Sequence, residues 1–145
     1  MTRFPVYIAG PYTKPDPAAN VELACLCWSH IFRLGFAPFC PHWSHFQHER
    51  YPLPYLDWME LDLLWLKKCE ALFRIPGESA GADDEEVAAA TEAMPVFTSY
   101  RALVSWFAEE DDWVIPSGDL LAECEAEWQA ALAARWRCAP VQSEA

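Results

Sequence analysis

The sequence predicts an α/β domain in which helices cover both faces of a parallel sheet. Two observations support this prediction. Short apolar runs alternate with longer segments of helical spacing over the first two-thirds of the chain. Each of the first three runs ends at turn residues, which are Gly10-Pro11, Pro41 and Pro76-Gly77. Strands and helices that alternate in this way form a three-layer parallel sheet, and its ligands bind outside the carboxyl ends of the strands.

The individual elements follow from periodicity and turn chemistry. Apolar runs predict strands at residues 4–9, 36–40, 71–75 and 94–98. Helical spacing predicts helices at residues 18–34, 55–68 and 85–92, and Gly35 is expected to end the first of them. Residues 41–54 are assigned to a long loop. The inner face of the second helix is assigned to Leu56, Met59, Leu63 and Leu66.

The last third of the chain follows a less regular pattern. A short helix is predicted at residues 101–108, and an acidic loop follows at residues 109–112. Either an edge strand or a linker is predicted at residues 113–115. A final helix is predicted at residues 119–137, within an extension that starts at 117, and residues 140–145 are expected to fray. Its apolar stripe consists of Leu120, Leu121, Cys124, Trp128 and Leu132. Because a minimal three-layer sheet offers this stripe no place, we expect a homodimer or a larger homo-oligomer.

Composition excludes several classes of function. The 145 residues predict a single domain, and a formal net charge of −12 argues against binding to a nucleic acid polymer. No apolar run approaches the length of a membrane span, so no membrane partner is expected. The six cysteines lack paired metal-type spacing and predict reduced thiols in a cytoplasmic protein. Neither a cofactor nor a metal is expected.

The turn between the third strand and the third helix is the first candidate for a site. Pro76, Gly77 and Gly81 mark the turn, and the Ser79 hydroxyl is suited to cap the helix. A carboxylate at Glu85 would then lie in the first helical turn, where the helix dipole favours its ionised form. The neighbouring acids Asp83, Asp84 and Glu86 are interpreted as ordinary helix-start residues.

Parallel topology brings three separate loops to one edge of the sheet. Residues 10–20 follow the first strand, 41–54 the second and 76–84 the third. Polar and aromatic side chains that the sequence scatters are therefore expected to converge there. They are Tyr7, Tyr12, Asn20, His42, Ser79 and Glu85.

Four short motifs occur in an order that resembles a known family. They are Tyr7-Ile-Ala-Gly-Pro-Tyr-Thr13 with Asn20 and Ala24, then Pro41-His42, then Asp62 placed eight residues before Glu70, and finally Ser79-x-Gly81-x-x-x-Glu85 followed by Ala88 and Ala89. Together they resemble the nucleoside 2-deoxyribosyltransferase-like superfamily, which includes the 2'-deoxynucleoside 5'-phosphate N-hydrolases. The resemblance covers residues 4–98, the expected core of the domain.

The resemblance implies a flavodoxin-like or Rossmann-like fold and cleavage of an N-glycosidic bond. Glu85 would attack the anomeric carbon of a nucleoside or nucleotide, Asp62 would assist the departing base, and Tyr7 would orient the glutamate or the sugar. This chemistry suits a carboxylate nucleophile and an oxocarbenium-like transition state. Substrate contacts are expected from Gly10, Tyr12, Asn20, His42, Ser79 and Gly81.

Other interpretations of the same residues stay open. His42, His45, His48 and Glu49 have spacings that fit no common metal signature, so we expect them to form hydrogen bonds. Trp43, Tyr51, Tyr55 and Trp58 suit either stacking on a nucleobase or packing. Asp62 also fits a solvated surface acid. The rival function is a nucleotide-binding or sensing module of the same fold that has no catalytic turnover.

Overall fold

A computed structural model describes residues 2–138 of the chain, with side chains as far as Arg135. The strands are β1 (Pro5–Ala9), β2 (Ala37–Phe39), β3 (Ala71–Arg74) and β4 (Val96–Phe97). The helices are α1 (Pro17–Arg33), α2 (Ser44–Arg50), α3 (Tyr55–Leu66), α4 (Ala80–Thr91), α5 (Tyr100–Phe107) and α6 (Gly118–Cys138). The predicted frayed tail at residues 140–145 lies outside the described residues.

The four strands form one parallel sheet in the order β2-β1-β3-β4. Tyr7 of β1 is in register with Phe39 of β2 and with Leu72 of β3. Helices lie on both faces, so the α/β three-layer prediction is confirmed, and the strand order is that of flavodoxin-like folds. The chain moves from β1 outward to β2 and then returns to β3 on the other side of β1. The switch point between β1 and β3 is where such sheets bind ligands.

The larger core lies on the face that α1, α5 and α6 cover. Val6, Ile8 and Phe73 point to this side because side chains alternate along a strand. They pack against buried residues such as Cys27 and Tyr100. Gly35 ends α1 with a φ of +104°, which is a conformation that glycine adopts at little cost.

The opposite face carries a smaller core under α3 and α4. Tyr7, Ala9 and Leu72 point to this side. Leu66 of α3 and Ala89 of α4 cover them, and the small alanine lets α4 lie close to the sheet. The side chain of Tyr7 is therefore placed beneath the first half of α4.

The apolar stripe of α6 has a place inside the chain, contrary to the expectation from sequence. Leu121, Cys124 and Trp128 are buried, and Trp128 is 1% exposed. The Trp128 indole contacts the rings of Phe73 and Tyr100. The helix thus completes the larger core of this domain, and its stripe is no longer an argument for a homo-oligomer.

Three local predictions are corrected by the structure, and one open alternative is resolved. The long loop at residues 41–54 contains a 3-10 turn at Pro41–Trp43 and the helix α2. Helix α4 begins at Ala80 rather than at residue 85, because Ser79 caps it directly and Gly81 lies inside its first turn. Leu56 is 76% exposed, since the first turn of α3 extends beyond the sheet that Leu63 and Leu66 contact. Residues 113–115 form a linker, in which Trp113 is buried.

Two findings bear on the environment of the protein. Among residues 2–138, no helix combines the length and hydropathy that crossing a membrane requires. The five cysteines whose side chains the structure describes are free thiols. They are Cys25, Cys27, Cys40, Cys69 and Cys124.

Candidate active site

A pocket of about 590 Å³ opens at the carboxyl ends of the strands, next to the switch point. Its volume is in the range of small-molecule sites. The walls come from the loops after β1, β2 and β3 together with α3 and the start of α4. Of the residues that the sequence nominates, the pocket is lined by Gly10, Tyr12, His42, Asp62, Ser79, Gly81 and Glu85.

The floor of the pocket depends on a close approach between the ends of β1 and β3. A Cβ atom added to Gly10 would lie 2.8 Å from Cβ of Ile75, which is too close for two carbon atoms. Gly77 has a φ of +135°, and a Cβ there would lie 2.7 Å from Pro11. Both positions therefore require glycine for space, and Gly77 also requires it for its backbone conformation.

Arg74 holds the turn after β3 against α4. This arginine is only 8% exposed. Its guanidinium donates to the carbonyl oxygens of Ile75 at 2.6 Å and Gly77 at 3.0 Å. It also pairs with Asp83 at 3.1 Å and Glu86 at 3.5 Å. These two acids thus help fix the helix to the strand, which is a structural role but one that the sequence interpretation as helix-start residues did not include.

Glu85 lies in the second turn of α4, on the buried side of the helix. Ser79 Oγ accepts a hydrogen bond from the backbone N–H of Ala82 and so sets the start of the helix. From that start, Ala82, Glu85 and Ala89 fall on one face and point toward the sheet. Glu85 is 6% exposed and lies beside Tyr7.

The environment of Glu85 favours its protonated form, which corrects the expectation of a dipole-stabilised carboxylate. Burial raises the pKa of Glu85 to about 8, and the nearby Asp62 contributes to this rise. The Tyr7 hydroxyl and Arg74 lower the pKa by less than burial raises it. Because Glu85 is one turn further from the helix start than predicted, the cost of burial exceeds the dipole effect.

Tyr7 does not line the pocket and instead supports Glu85 from below. Burial, followed by the charge of Glu85, raises the pKa of Tyr7 far above its ordinary value, so the phenol keeps its proton. Tyr7 Oη and Glu85 Oε2 are both buried, and neither completes a hydrogen bond of regular geometry with another described residue. The hydroxyl is therefore available as a donor to the carboxyl group.

Asp62 lines the pocket from α3 and is half-buried. Burial raises the pKa of Asp62 to about 6. This placement differs from that of a solvated surface acid, the alternative that the sequence left open. The pocket therefore holds two acids whose pKa values are both displaced toward neutrality, which is a common property of acid–base sites.

His42 contributes a neutral imidazole to the wall. It is 4% exposed, and its Nε2 donates to the backbone oxygen of Pro11 at 2.8 Å. Burial lowers the pKa of His42. The neutral ring then carries its proton on Nε2, which leaves Nδ1 as an acceptor. His42 Nδ1 is buried and has no hydrogen-bond partner among the described residues.

The other histidines near the pocket form hydrogen bonds, as the sequence analysis expected. His45 Nδ1 contacts the Tyr12 hydroxyl at 2.5 Å, and His45 Nε2 pairs with Glu49 at 3.2 Å. His48 Nδ1 accepts from the indole N–H of Trp58 at 2.8 Å. Within residues 2–138, no three His, Cys, Asp or Glu side chains are grouped so that they could hold a metal ion.

Asn20 lies behind the loop that follows β1 rather than in the pocket wall. Its side-chain amide donates to the backbone oxygens of Tyr12 and Lys14, both at 2.9 Å. Asn20 thereby fixes the stretch that carries Tyr12, Thr13 and Lys14, all of which line the pocket. The structure thus places Asn20 as a support for the residues that line the pocket.

Aromatic side chains form the outer wall. Tyr55 and Trp58 line the pocket together with Met59, whereas Trp43 and Tyr51 are exposed outside it. A Cβ added to Gly81 would lie 3.0 Å from the Tyr55 hydroxyl, so glycine gives this ring its space. Tyr55 and Trp58 are thus the two aromatic candidates that are placed to contact a flat ligand.

Arg74, Lys14 and Glu78 are charged residues of the site region that sequence reasoning missed. Arg74 had a visible signal, because it is the one charged residue in the apolar run Ala71-Leu-Phe-Arg-Ile75. Lys14 had none, since a lysine in a proline-rich loop is typical of a surface turn. No protein-family model matches the chain, and no curated protein matches it.

The raised pKa of Glu85 predicts a pH-dependent stability difference. A carboxyl group whose pKa is higher in the folded state favours folding at low pH, and that contribution is lost as pH rises from about 4.5 to about 8. Glu85→Gln removes this loss. We expect the variant to gain about 3 to 5 kcal/mol in free energy of unfolding relative to wild type between pH 5 and pH 8.5.

Urea unfolding at the two pH values measures this difference. Asp84→Asn is the matched control, because it removes an exposed carboxylate from the same helical turn. If the difference in free energy of unfolding between Glu85→Gln and wild type stays constant with pH, the Glu85 carboxyl group is not buried in its protonated form.

Proposed function

We propose that the protein cleaves the N-glycosidic bond of a nucleoside or nucleotide, by hydrolysis or by deoxyribosyl transfer. The observation that supports this most is the pairing of Glu85 and Asp62 in one pocket at the switch point of the sheet. Two carboxyl groups, one as nucleophile and one as proton donor, are what sugar transfer through a covalent intermediate needs. Residues of each of the four motifs that resemble the nucleoside 2-deoxyribosyltransferase-like superfamily line this pocket, namely Gly10, His42, Asp62 and Glu85.

Glu85 is the proposed nucleophile. Its carboxylate attacks the anomeric carbon, an ester forms, and the electrons of the C–N bond pass to the departing base. The Tyr7 hydroxyl stabilises the ionised carboxylate by donating a hydrogen bond, and it lowers the pKa of Glu85. Asp83 and Glu86 are held by Arg74, and Asp84 is exposed. Glu85 is thus the acid of this helix that faces the pocket from a buried position.

Asp62 is the proposed proton donor to the base. A protonated Asp62 neutralises the leaving nitrogen as the C–N bond breaks, and the resulting carboxylate takes a proton from the water or base that attacks the ester. Tyr55 and Trp58 border the pocket on the same side and offer faces on which a nucleobase can stack. Ser79 and Gly81, which line the pocket, are the proposed contacts of the sugar.

The first test replaces the nucleophile. Glu85→Gln keeps the shape of the side chain but cannot form the ester, so release of free base should fall by roughly 1,000-fold or more while ligand binding persists. Base release is followed by chromatography on a panel of nucleosides and monophosphates. Wild-type protein incubated with a 2-fluoro-arabinosyl nucleoside should gain the mass of the sugar on the peptide that contains Glu85.

Asp84→Asn serves as the control for this test, because it changes an exposed neighbour in the same turn. Label on Asp83, Asp84 or Glu86 would move the nucleophile to another residue. Full activity of the Gln variant would contradict a covalent mechanism.

The second test concerns the proton donor. With pKa values of about 6 and 8 for the pair, kcat/KM should be bell-shaped with limbs near those values. Asp62→Asn should lower kcat by about 100- to 10,000-fold. It should also remove the alkaline limb, so that the rate rises with pH and then stays level.

A substrate whose base departs without protonation provides the internal control. A 7-methylpurine nucleoside releases a neutral base, so Asp62→Asn should slow its cleavage far less than that of the parent nucleoside. A bell-shaped profile that persists in Asp62→Asn would place the proton donor elsewhere.

A binding or sensing module without turnover is the second candidate. The observation that favours it is the pKa of Glu85, since a carboxyl group with a pKa of about 8 is mostly protonated at pH 7 and is then a poor nucleophile. Such a module would bind nucleosides or nucleotides but release no base. The product assay on the wild-type protein separates the two functions.

We further propose a homo-oligomer in a reducing compartment such as the cytoplasm. Free thiols support the compartment. Oligomer formation is now supported by a different surface, the outer face of α3, where Leu56, Leu61, Leu64 and Trp65 are exposed. Light scattering at micromolar concentration should give a mass of at least two chains, and Leu64→Glu should shift it toward the monomer.

Val87→Glu is the matched control, because it introduces the same charge at an exposed position of α4. A monomeric mass for the wild-type protein would contradict the proposal.

A further inference from the structure

The charges that line the pocket are mostly negative. Lys14 is the single lysine or arginine among the described lining residues, and it is opposed by Glu78 and by the Asp62–Glu85 pair, which together keep about one negative charge near pH 7. His42 adds no positive charge, because burial lowers its pKa. The whole chain carries a net charge of −12, so the long-range field also repels anions.

The start of α4 is the place where a phosphate group would ordinarily bind in such a fold. Here the chain supplies its own anions to that position. Glu78 directly precedes the cap residue Ser79, and Asp83 lies in the first turn of the helix with Asp84 next to it. The backbone N–H of Ala82 is already bonded to Ser79 Oγ. Asp83 is paired with Arg74, so the carboxylate that a phosphate dianion would approach from the pocket is that of Glu78.

Two arginines near this turn are directed at the chain itself. Arg74 donates to backbone oxygens of Ile75 and Gly77 and pairs with Asp83 and Glu86. Arg135 of α6 donates to the backbone oxygen of Pro76 at 2.6 Å. Neither side chain lines the pocket. The cations in this region thus hold the turn in place instead of facing a ligand.

The pocket wall instead presents groups that accept hydrogen bonds. Glu78 and Asp62 offer carboxylate oxygens. The Tyr12 hydroxyl is held by His45, which is in turn paired with Glu49. A sugar hydroxyl donates to such groups, whereas a phosphate dianion has no proton to give them.

We infer that the substrate class of this pocket is the unphosphorylated nucleoside and that Glu78 is a residue that excludes 5'-monophosphates. This inference rests on the proposed function of the same pocket. The discrimination is electrostatic, so it should weaken as salt is added.

Matched pairs of each nucleoside and its 5'-monophosphate test the inference. Wild-type kcat/KM should favour the nucleoside by about 10- to 100-fold at low salt, the size of effect expected for one or two like charges at short range. Glu78→Lys should narrow this ratio at least about tenfold or reverse it. Glu109→Lys changes the charge equally in the loop after α5 and should leave the ratio as in wild type.

The outcomes separate the inference from the function on which it rests. Faster release of base from monophosphates, or a ratio that Glu78→Lys does not change, would overturn the inference and leave the proposed function standing. Absence of free base from every substrate would overturn the proposed function. In that case, calorimetry with Glu85→Gln measures the affinity for each nucleoside and for its monophosphate. Tighter binding of the nucleoside supports the inference. Tighter binding of the monophosphate, or no binding of either, overturns it.

Discussion

Burial of the Glu85 carboxyl group against the sheet is the constraint on which the site depends. A carboxylate at this depth costs free energy that the nearby Tyr7 hydroxyl does not fully offset, so the pKa of Glu85 is raised to about 8. The position of Tyr7 follows from strand alternation, and that of Glu85 from the helical repeat that starts at Ser79. The alternation of side chains along β1 and the helical repeat of α4 therefore place the Tyr7 and Glu85 side chains next to each other.

The surrounding scaffold maintains this burial by fixing where α4 begins. Gly10 and Gly77 allow the loops after β1 and β3 to come close, because the Gly10 backbone packs on the Ile75 side chain and the Gly77 backbone packs on Pro11. Arg74 then ties the turn to the first turns of the helix through carbonyl and carboxylate oxygens. Because these contacts lie on the side of the turn away from the pocket, they rigidify the site without occupying it.

Sequence reasoning identified the sheet, the pocket edge and the approximate place of Glu85, because these depend on local periodicity and on parallel topology. It named Ser79 as the helix cap but placed the start of α4 at residue 85, because a first turn that contains Gly81 looks like a loop in sequence. It therefore also missed that Glu85 lies one turn further along the helix, where burial raises its pKa. It also left α6 without a partner. The cavity that Trp128 fills between Phe73 and Tyr100 arises from residues more than 25 positions away, which periodicity does not relate.

The order of the two pKa values also connects the pocket to its proposed chemistry. Between pH 6 and 8 the pair holds about one proton, mainly on Glu85, whereas the proposed nucleophilic attack requires that proton on Asp62. In the proposed mechanism, a nucleoside that covers the aromatic wall would remove solvent from Asp62, which is half-buried, more than from Glu85, which is already buried. Desolvation would therefore raise the pKa of Asp62 selectively. Binding of the proposed substrate would then shift the proton toward the acid that this mechanism requires as its donor.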